Sequence, residues 1–128
     1  MRLLLDTHVL LWAVAASSRL PKATRALIQD EENEVFYSAA SVWEVAIKAG
    51  LGRRDFRIDV EQFHASLPQA GFSELPIRAV HAAAVCKLPD LHRDPFDRML
   101  VAQALVEPLV LVTNDEVLTK YAAPVRLI

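Results

Sequence analysis

Four carboxylates set the chemistry open to this chain: Asp6, Glu44, Asp97 and Asp115. Asp6 ends the apolar run Leu3-Leu4-Leu5, and Asp115 follows the run Leu109-Val110-Leu111-Val112. Glu44 lies in a segment of helical spacing just after Val35-Phe36-Tyr37, and Asp97 stands near the start of another, behind Asp94-Pro95-Phe96. Taken singly, each has an ordinary explanation. Aspartate caps helices well, which suits Asp6. Ser41-Val42-Trp43-Glu44 and Thr113-Asn114-Asp115-Glu116 both fit a capping box, Ser/Thr followed three residues later by Glu. Asp94-Pro95-Phe96-Asp97 fits an Asp cap, a first-position proline and an acid favoured by the helix dipole.

The joint placement is harder to explain that way. Crowded carboxylates repel by about a few kcal/mol at moderate dielectric, and a bound divalent cation removes the repulsion. Oxygen-only carboxylate ligands suit Mg²⁺ or Mn²⁺, hard ions that engage phosphates, and the lack of a Cys/His set argues against zinc. Such ions activate a water and stabilise the leaving oxygen in phosphodiester cleavage. The hydroxyls of Thr7 and Thr113 are available to orient carboxylates or waters. Asp94, three residues from Asp97 and on the same helical face, stays open between metal ligand, supporting residue and cap.

For these acids to meet, the elements must carry them to one edge. Leu3 to Leu5 reads as a strand buried on both faces, as in parallel sheets, and a helical pattern follows (Val9, Leu10, Trp12, Ala13, Ala16). Pro21 opens a second helix through Glu31. A strand over Val35 to Tyr37 leads into a helix from Ser38 that Gly50 and Gly52 stop. Asp59 to Ala70 fits a further helix, Phe72 to Leu75 a third strand, and Pro76 or Ile77 opens a short helix through Cys86. Pro95 starts the helix that carries Asp97, Leu109 to Val112 is the fourth strand, Asp115 to Tyr121 a short helix, and Val125 to Ile128 a closing edge strand. This alternation predicts an α/β fold, a parallel sheet with helices on both faces. In such a sheet the strand C-termini share one edge, where ligands bind. His64, His81 and Cys86 are isolated, without metal-ligand spacing, and read as structural.

A chain of 128 residues predicts one domain spanning 1–128, long enough to bury a core without disulfide or metal staples. A hydrophobic content of 53% and a mean hydropathy of +0.23 suit a doubly covered sheet or a partner that hides surface, and argue against disorder. A net charge of −2 and a pI near 6.1 leave no global basic field for non-specific nucleic-acid binding. They do not exclude an enzyme that holds a phosphate backbone through metal ions. The single cysteine, Cys86, rules out an intramolecular disulfide and suits a reducing cytoplasm. Asp6 and His8 interrupt the apolar core a secretion signal requires, and the run Val9 to Ala16 is too short to span a bilayer. The expectation is a soluble, cytoplasmic protein.

Four stretches, in order, resemble PIN-domain proteins: Leu3-Leu4-Leu5-Asp6-Thr7-His8, Ser38-Ala39-Ala40-Ser41-Val42-Trp43-Glu44, the segment His92-Arg93-Asp94-Pro95-Phe96-Asp97 through Ala104, and Val112-Thr113-Asn114-Asp115. Among these the chain is similar to VapC-type toxin ribonucleases of bacterial toxin–antitoxin pairs, over essentially its whole length. The resemblance implies a three-layer α/β/α sandwich with a central parallel sheet, and Mg²⁺- or Mn²⁺-dependent endoribonuclease activity on RNA. It also implies a homodimer and a small antitoxin that blocks the acidic site. Motif by motif, it implies Asp6, Glu44 and Asp97 as the main catalytic and metal-holding residues and Asp115 as a fourth. Asp94 belongs to the local motif without an assigned ligand role.

Two other readings compete. A phosphatase with an aspartyl nucleophile calls for a second acid two residues after the first, where this chain has His8. A catalytically silent binding module would have no need to keep all four acids. Lys48, Arg53, Arg54, Arg93 and Arg98 are candidate contacts to an RNA backbone, although the cluster around Lys48, Arg53, Arg54 and Arg57 reads more readily as a solvated loop. Backbone contacts do not select a sequence, and unpaired loops are the natural target for sequence-selective cutting.

Overall fold

Leu3, Leu4 and Leu5 are all wholly buried, and they divide between two cores. Successive side chains of a strand point to opposite faces. Leu3 and Leu5 therefore join Val9, Leu10, Val45, Phe63 and Leu67 on one side, while Leu4 joins Leu100, Val101, Leu111 and Leu118 on the other. In the computed structural model, which describes residues 1–128, this segment is the central strand β1 (Arg2–Leu5) of a five-stranded sheet. The remaining elements follow in the order α1 (Thr7–Val14), α2 (Lys22–Gln29), β2 (Glu34–Ser38), α3 (Ala39–Gly50), α4 (Val60–Gln69), β3 (Ser73–Leu75), α5 (Ala79–Val85), α6 (Pro95–Val106), β4 (Val110–Thr113), a 3₁₀ turn (Glu116–Lys120) and β5 (Val125–Leu127).

All strand pairs are parallel, in the order β3-β2-β1-β4-β5. The chain runs outward from β1 through β2 and β3, then crosses back to lay β4 on the other side of β1. Right-handed crossovers require the covering helices to change face when the direction reverses. Residues of α1 to α4 accordingly pack on the Leu3/Leu5 face, and those of α6 and the 3₁₀ turn on the Leu4 face, with α5 against α6. This is the expected three-layer α/β fold. Leu5 pairs with both Tyr37 and Val112, so β1, β2 and β4 end level. Asp6, Ser38 and Thr113 leave the sheet together, at the switch point where open α/β sheets bind ligands.

One helix begins later than its sequence suggests. Pro76 and Ile77 stay irregular and α5 starts at Ala79. The carbonyl of Pro76 accepts from Gln103 Nε2 of α6 (3.3 Å), and the Arg78 N–H is held by His81 Nδ1 (2.9 Å). Long-range partners thus take the groups that an earlier helix start would use. His81 is fully buried, and its Nε2 lies 2.5 Å from Glu107 at the end of α6, which makes it a tie between the two helices. Replacing His81 by Ala removes both bonds and leaves a hole, so His81→Ala is expected to lower unfolding free energy by roughly 2 kcal/mol in urea titration. A loss under about 0.5 kcal/mol, the range of an ordinary surface change, would contradict this role. No helix is long and apolar enough to cross a membrane.

Candidate metal centre

Asp6 stands at the end of β1, its N–H on Val112 O (3.0 Å), and is almost fully buried. Its Oδ1 accepts from the Val9 N–H (2.9 Å) and so caps α1, while its Oδ2 accepts from the Thr113 hydroxyl. Capping and site roles are therefore compatible, because they use different oxygens. Burial raises the pKa of Asp6 despite the hydrogen bonds from Thr113 and Val9.

Glu44, also buried, faces Asp6's neighbour Thr7 from α3. Its Oε1 accepts from Thr7 Oγ1 (2.7 Å), which also lies 2.9 Å from Ser41 Oγ. Its Oε2 pairs with Lys48 one turn along the helix (2.6 Å). The capping-box explanation of Ser41 and Glu44 does not hold. Ser38 is the N-cap, accepting from the Ala40 N–H (3.0 Å), and both residues lie inside the helix. The same correction applies to Thr113 and Glu116. Asp115 caps the 3₁₀ turn through Val117 N–H (3.0 Å), and Thr113 Oγ1 accepts from the Asp115 N–H (3.0 Å) while donating to Asp6.

Asp97 sits in the first turn of α6, and Asp94 is that helix's cap, its Oδ1 accepting from the N–H groups of Phe96 (2.8 Å) and Asp97 (3.2 Å). The pKa of Asp97 is pushed up to about 7, first by burial, then by the negative charges of Asp94, Asp6 and Glu44, with His92 opposing. Asp97 thus lies within electrostatic reach of Asp6, Glu44 and Asp94, and Asp6 within reach of Glu44.

His92 is the member of this cluster that the sequence did not single out. Its Nε2 lies 2.8 Å from Asp115 Oδ2 and 3.2 Å from Asp97 Oδ2. It precedes Asp97 by five residues across a helix start, so neither the helical nor the strand period aligns the two. Asp115 joins the cluster through His92 and Thr113.

The cations proposed from sequence divide. Lys48 is held by Glu44, and Arg53 pairs with Asp55 in its own exposed loop (3.3 Å). Arg98 turns inward, its guanidinium donating to the carbonyls of Pro89 (3.1 Å) and Val85 (3.3 Å) and approaching Tyr121 Oη (3.4 Å), which fastens the preceding loop onto α6. Arg54 and Arg93 are exposed.

The donor set fits a hard divalent ion. Asp6, Asp94 and Asp97 have no lysine or arginine partner, and burial together with the neighbouring negative charges outweighs His92 and holds the Asp97 proton far above the ordinary carboxylate range. Carboxylate oxygens are the ligands Mg²⁺ and Mn²⁺ prefer.

The family model for the PIN domain matches residues 3–124, and the chain belongs to the PIN-domain family. Its fold is similar to that of VapBC2 from Rickettsia felis bound to a DNA fragment from their promoter (TM-score 0.72, 15% identity, 99% of this chain and 98% of that chain covered). It is also similar to FitAB bound to an IR36 DNA fragment (TM-score 0.67, 18% identity, 98% and 94% covered). FitAcB from Neisseria gonorrhoeae aligns with a TM-score of 0.61 at 21% identity, covering 91% and 89%. At these identities the likeness is one of fold. No curated protein matches the chain in sequence.

Proposed function

We propose that this chain is an endoribonuclease that hydrolyses RNA phosphodiester bonds with Mg²⁺ or Mn²⁺ held by Asp6, Glu44 and Asp97. We further propose that it is the toxin of a toxin–antitoxin pair. The gathering of carboxylates near the β1/β4 switch point, with only Glu44 paired to a lysine, supports this reading, with Asp97 pushed up to about 7 first by burial and then by its neighbours' charge. When bound, the ion supplies an activated water and stabilises the charge on the leaving oxygen. The chain's own residues prepare the site. Val9 N–H and Thr113 Oγ fix the angle of the Asp6 carboxylate, Thr7 fixes Glu44, and Lys48 offsets part of the charge on Glu44. Asp97 is poised to release its proton near neutral pH. The exposed Arg54 and Arg93 are the free cations of the set proposed for the RNA backbone.

An exposed apolar stripe supports pairing with a second chain. Trp43 and Ile47 on the outer face of α3, with Leu51 at its C-terminal cap, recur every four residues and are exposed by 61%, 42% and 62%, and an apolar stripe of this kind marks an interaction surface. We assign it to the homodimer, and the VapBC2 and FitAB likenesses support a separate antitoxin partner. Light scattering on a sizing column is expected to give a dimer for the wild type and a monomer for Ile47→Glu. A wild-type monomer would remove that assignment.

The nuclease reading is tested with quenched fluorescent single-stranded RNA oligomers and the purified, partner-free chain. Hydrolysis is expected with Mg²⁺ or Mn²⁺ and not with chelator. A rate that chelator leaves unchanged would overturn it.

A further inference from the structure

The hydrogen bonds of His92 fix what its ring can do. Nδ1 lies 3.0 Å from the main-chain N–H of Asp94. That group can only donate, so Nδ1 is the acceptor and the ring proton stands on Nε2. Nε2 donates its proton to Asp115 Oδ2 (2.8 Å) and lies 3.2 Å from Asp97 Oδ2, so the N–H stands between the two carboxylates while bonded to one of them. An imidazole nitrogen ligates a metal through an in-plane lone pair. Here the pair on Nδ1 is taken by Asp94 and the corresponding position on Nε2 holds the proton. The ligand atoms of His92, Asp97 and Asp115 lie within 4.8 Å of one another, a spacing that suits a three-ligand metal site, but this tautomer closes it. A cation bridging Asp97 and Asp115 would meet the N–H proton head-on. Asp115's remaining oxygen caps the 3₁₀ turn through Val117 N–H.

We propose that His92 is a positioning residue whose Nε2–H, bonded to Asp115 and set against Asp97, stands in place of a second cation. The centre then holds one divalent ion, on the Asp6, Glu44 and Asp97 side, with Asp115 outside its ligand shell. This rests on the metal reading above and revises the fourth-ligand role expected for Asp115. His92 acts on the reaction through the orientation of Asp97.

Titrating Mn²⁺ into the metal-free full chain, and following the free aqueous ion by electron paramagnetic resonance, counts bound ions without any RNA. The wild type is expected to bind one ion per chain, with no ¹⁴N modulation from an imidazole ligand. His92→Ala is expected to bind a second ion, because two carboxylates then face each other without a donor. His92→Gln, which returns an amide N–H near the Nε2 position, is expected to restore a count of one. Two ions in the wild type, a ¹⁴N coupling that His92→Gln abolishes, or a His92→Ala variant that is folded by thermal melting yet binds as the wild type does would each overturn the inference. If no Mn²⁺ binds at all, the metal reading falls with it. If one ion binds and no RNA is cut, only the ribonuclease reading falls.

Discussion

Asp97→Asn is expected to lower kcat/KM for RNA hydrolysis by about 10³-fold or more, roughly 4 kcal/mol of transition-state stabilisation, while making the metal-free protein more stable at pH 8. The two effects share one cause. Asn keeps the shape of Asp and removes the charge that the neighbouring acids oppose and a bound cation needs. In the folded, metal-free protein Asp97 holds its proton to about pH 7, against an ordinary value of 3.8. Below about pH 4 both folded and unfolded chains are protonated at this residue and it adds no pH-dependent penalty. Between about pH 4 and 7 the unfolded chain releases the proton and the folded chain retains it, so stability falls as pH rises, and above pH 7 the full penalty is present. Discounted for solvent screening at a side chain 20% exposed, the penalty is on the order of 2 kcal/mol. The pKa of Asp6 is raised in the same sense. Denaturant titrations without metal should therefore show Asp97→Asn above the wild type at pH 8 and level with it near pH 4. A variant less stable than the wild type at pH 8 would contradict the account of crowded charge.

Metal affinity should depend on pH through the same residue. A cation that displaces the Asp97 proton binds about tenfold more weakly for each pH unit below 7, so Mn²⁺ affinity is expected to fall by roughly 100-fold from pH 7 to pH 5 and to level off above neutrality. Calorimetry in buffers of different ionisation enthalpy counts the proton directly, with release near pH 6 and almost none at pH 8.5. Asp97→Asn should bind weakly at every pH without that slope. A wild-type affinity that does not change between pH 5 and 7 would show that Asp97 is not a ligand.

The sequence carried most of the fold because its signals were local. Three adjacent leucines ending at a carboxylate specified a central strand, and Asp94-Pro95 marked the start of α6 through a cap that depends only on the next three residues. The start of α5 was not legible, since Gln103, some 27 residues from Pro76, takes the carbonyl that an earlier start would use. Ser41 and Glu44 matched a capping pattern, but Ser38 three residues earlier is equally able to cap, and only the end of β2 decides between them. For the candidate centre, a parallel sheet brings strand ends together by construction, so Asp6 and the Thr113–Asp115 end of β4 could be read as neighbours. The direction of long side chains could not. Lys48 and Arg98 looked like surface cations, yet one folds onto Glu44 and the other onto main-chain carbonyls. The role of His92 depends on its ring orientation across a helix boundary, which no periodicity encodes.

The chemistry of the RNA ends tests the central claim most directly. Water attacking phosphorus and displacing the 3′-oxygen leaves a 5′-phosphate and a 3′-hydroxyl, whereas attack by the RNA's own 2′-hydroxyl leaves a 5′-hydroxyl and a cyclic phosphate. The purified, partner-free chain would be incubated with total cellular RNA and Mg²⁺ or Mn²⁺, and new ends sequenced by methods that distinguish the two. Discrete cuts bearing 5′-phosphates, absent with chelator and with Asp97→Asn, are the predicted result. Cuts that carry 5′-hydroxyls, or that persist in both controls, would contradict a carboxylate-held metal as the source of the activity.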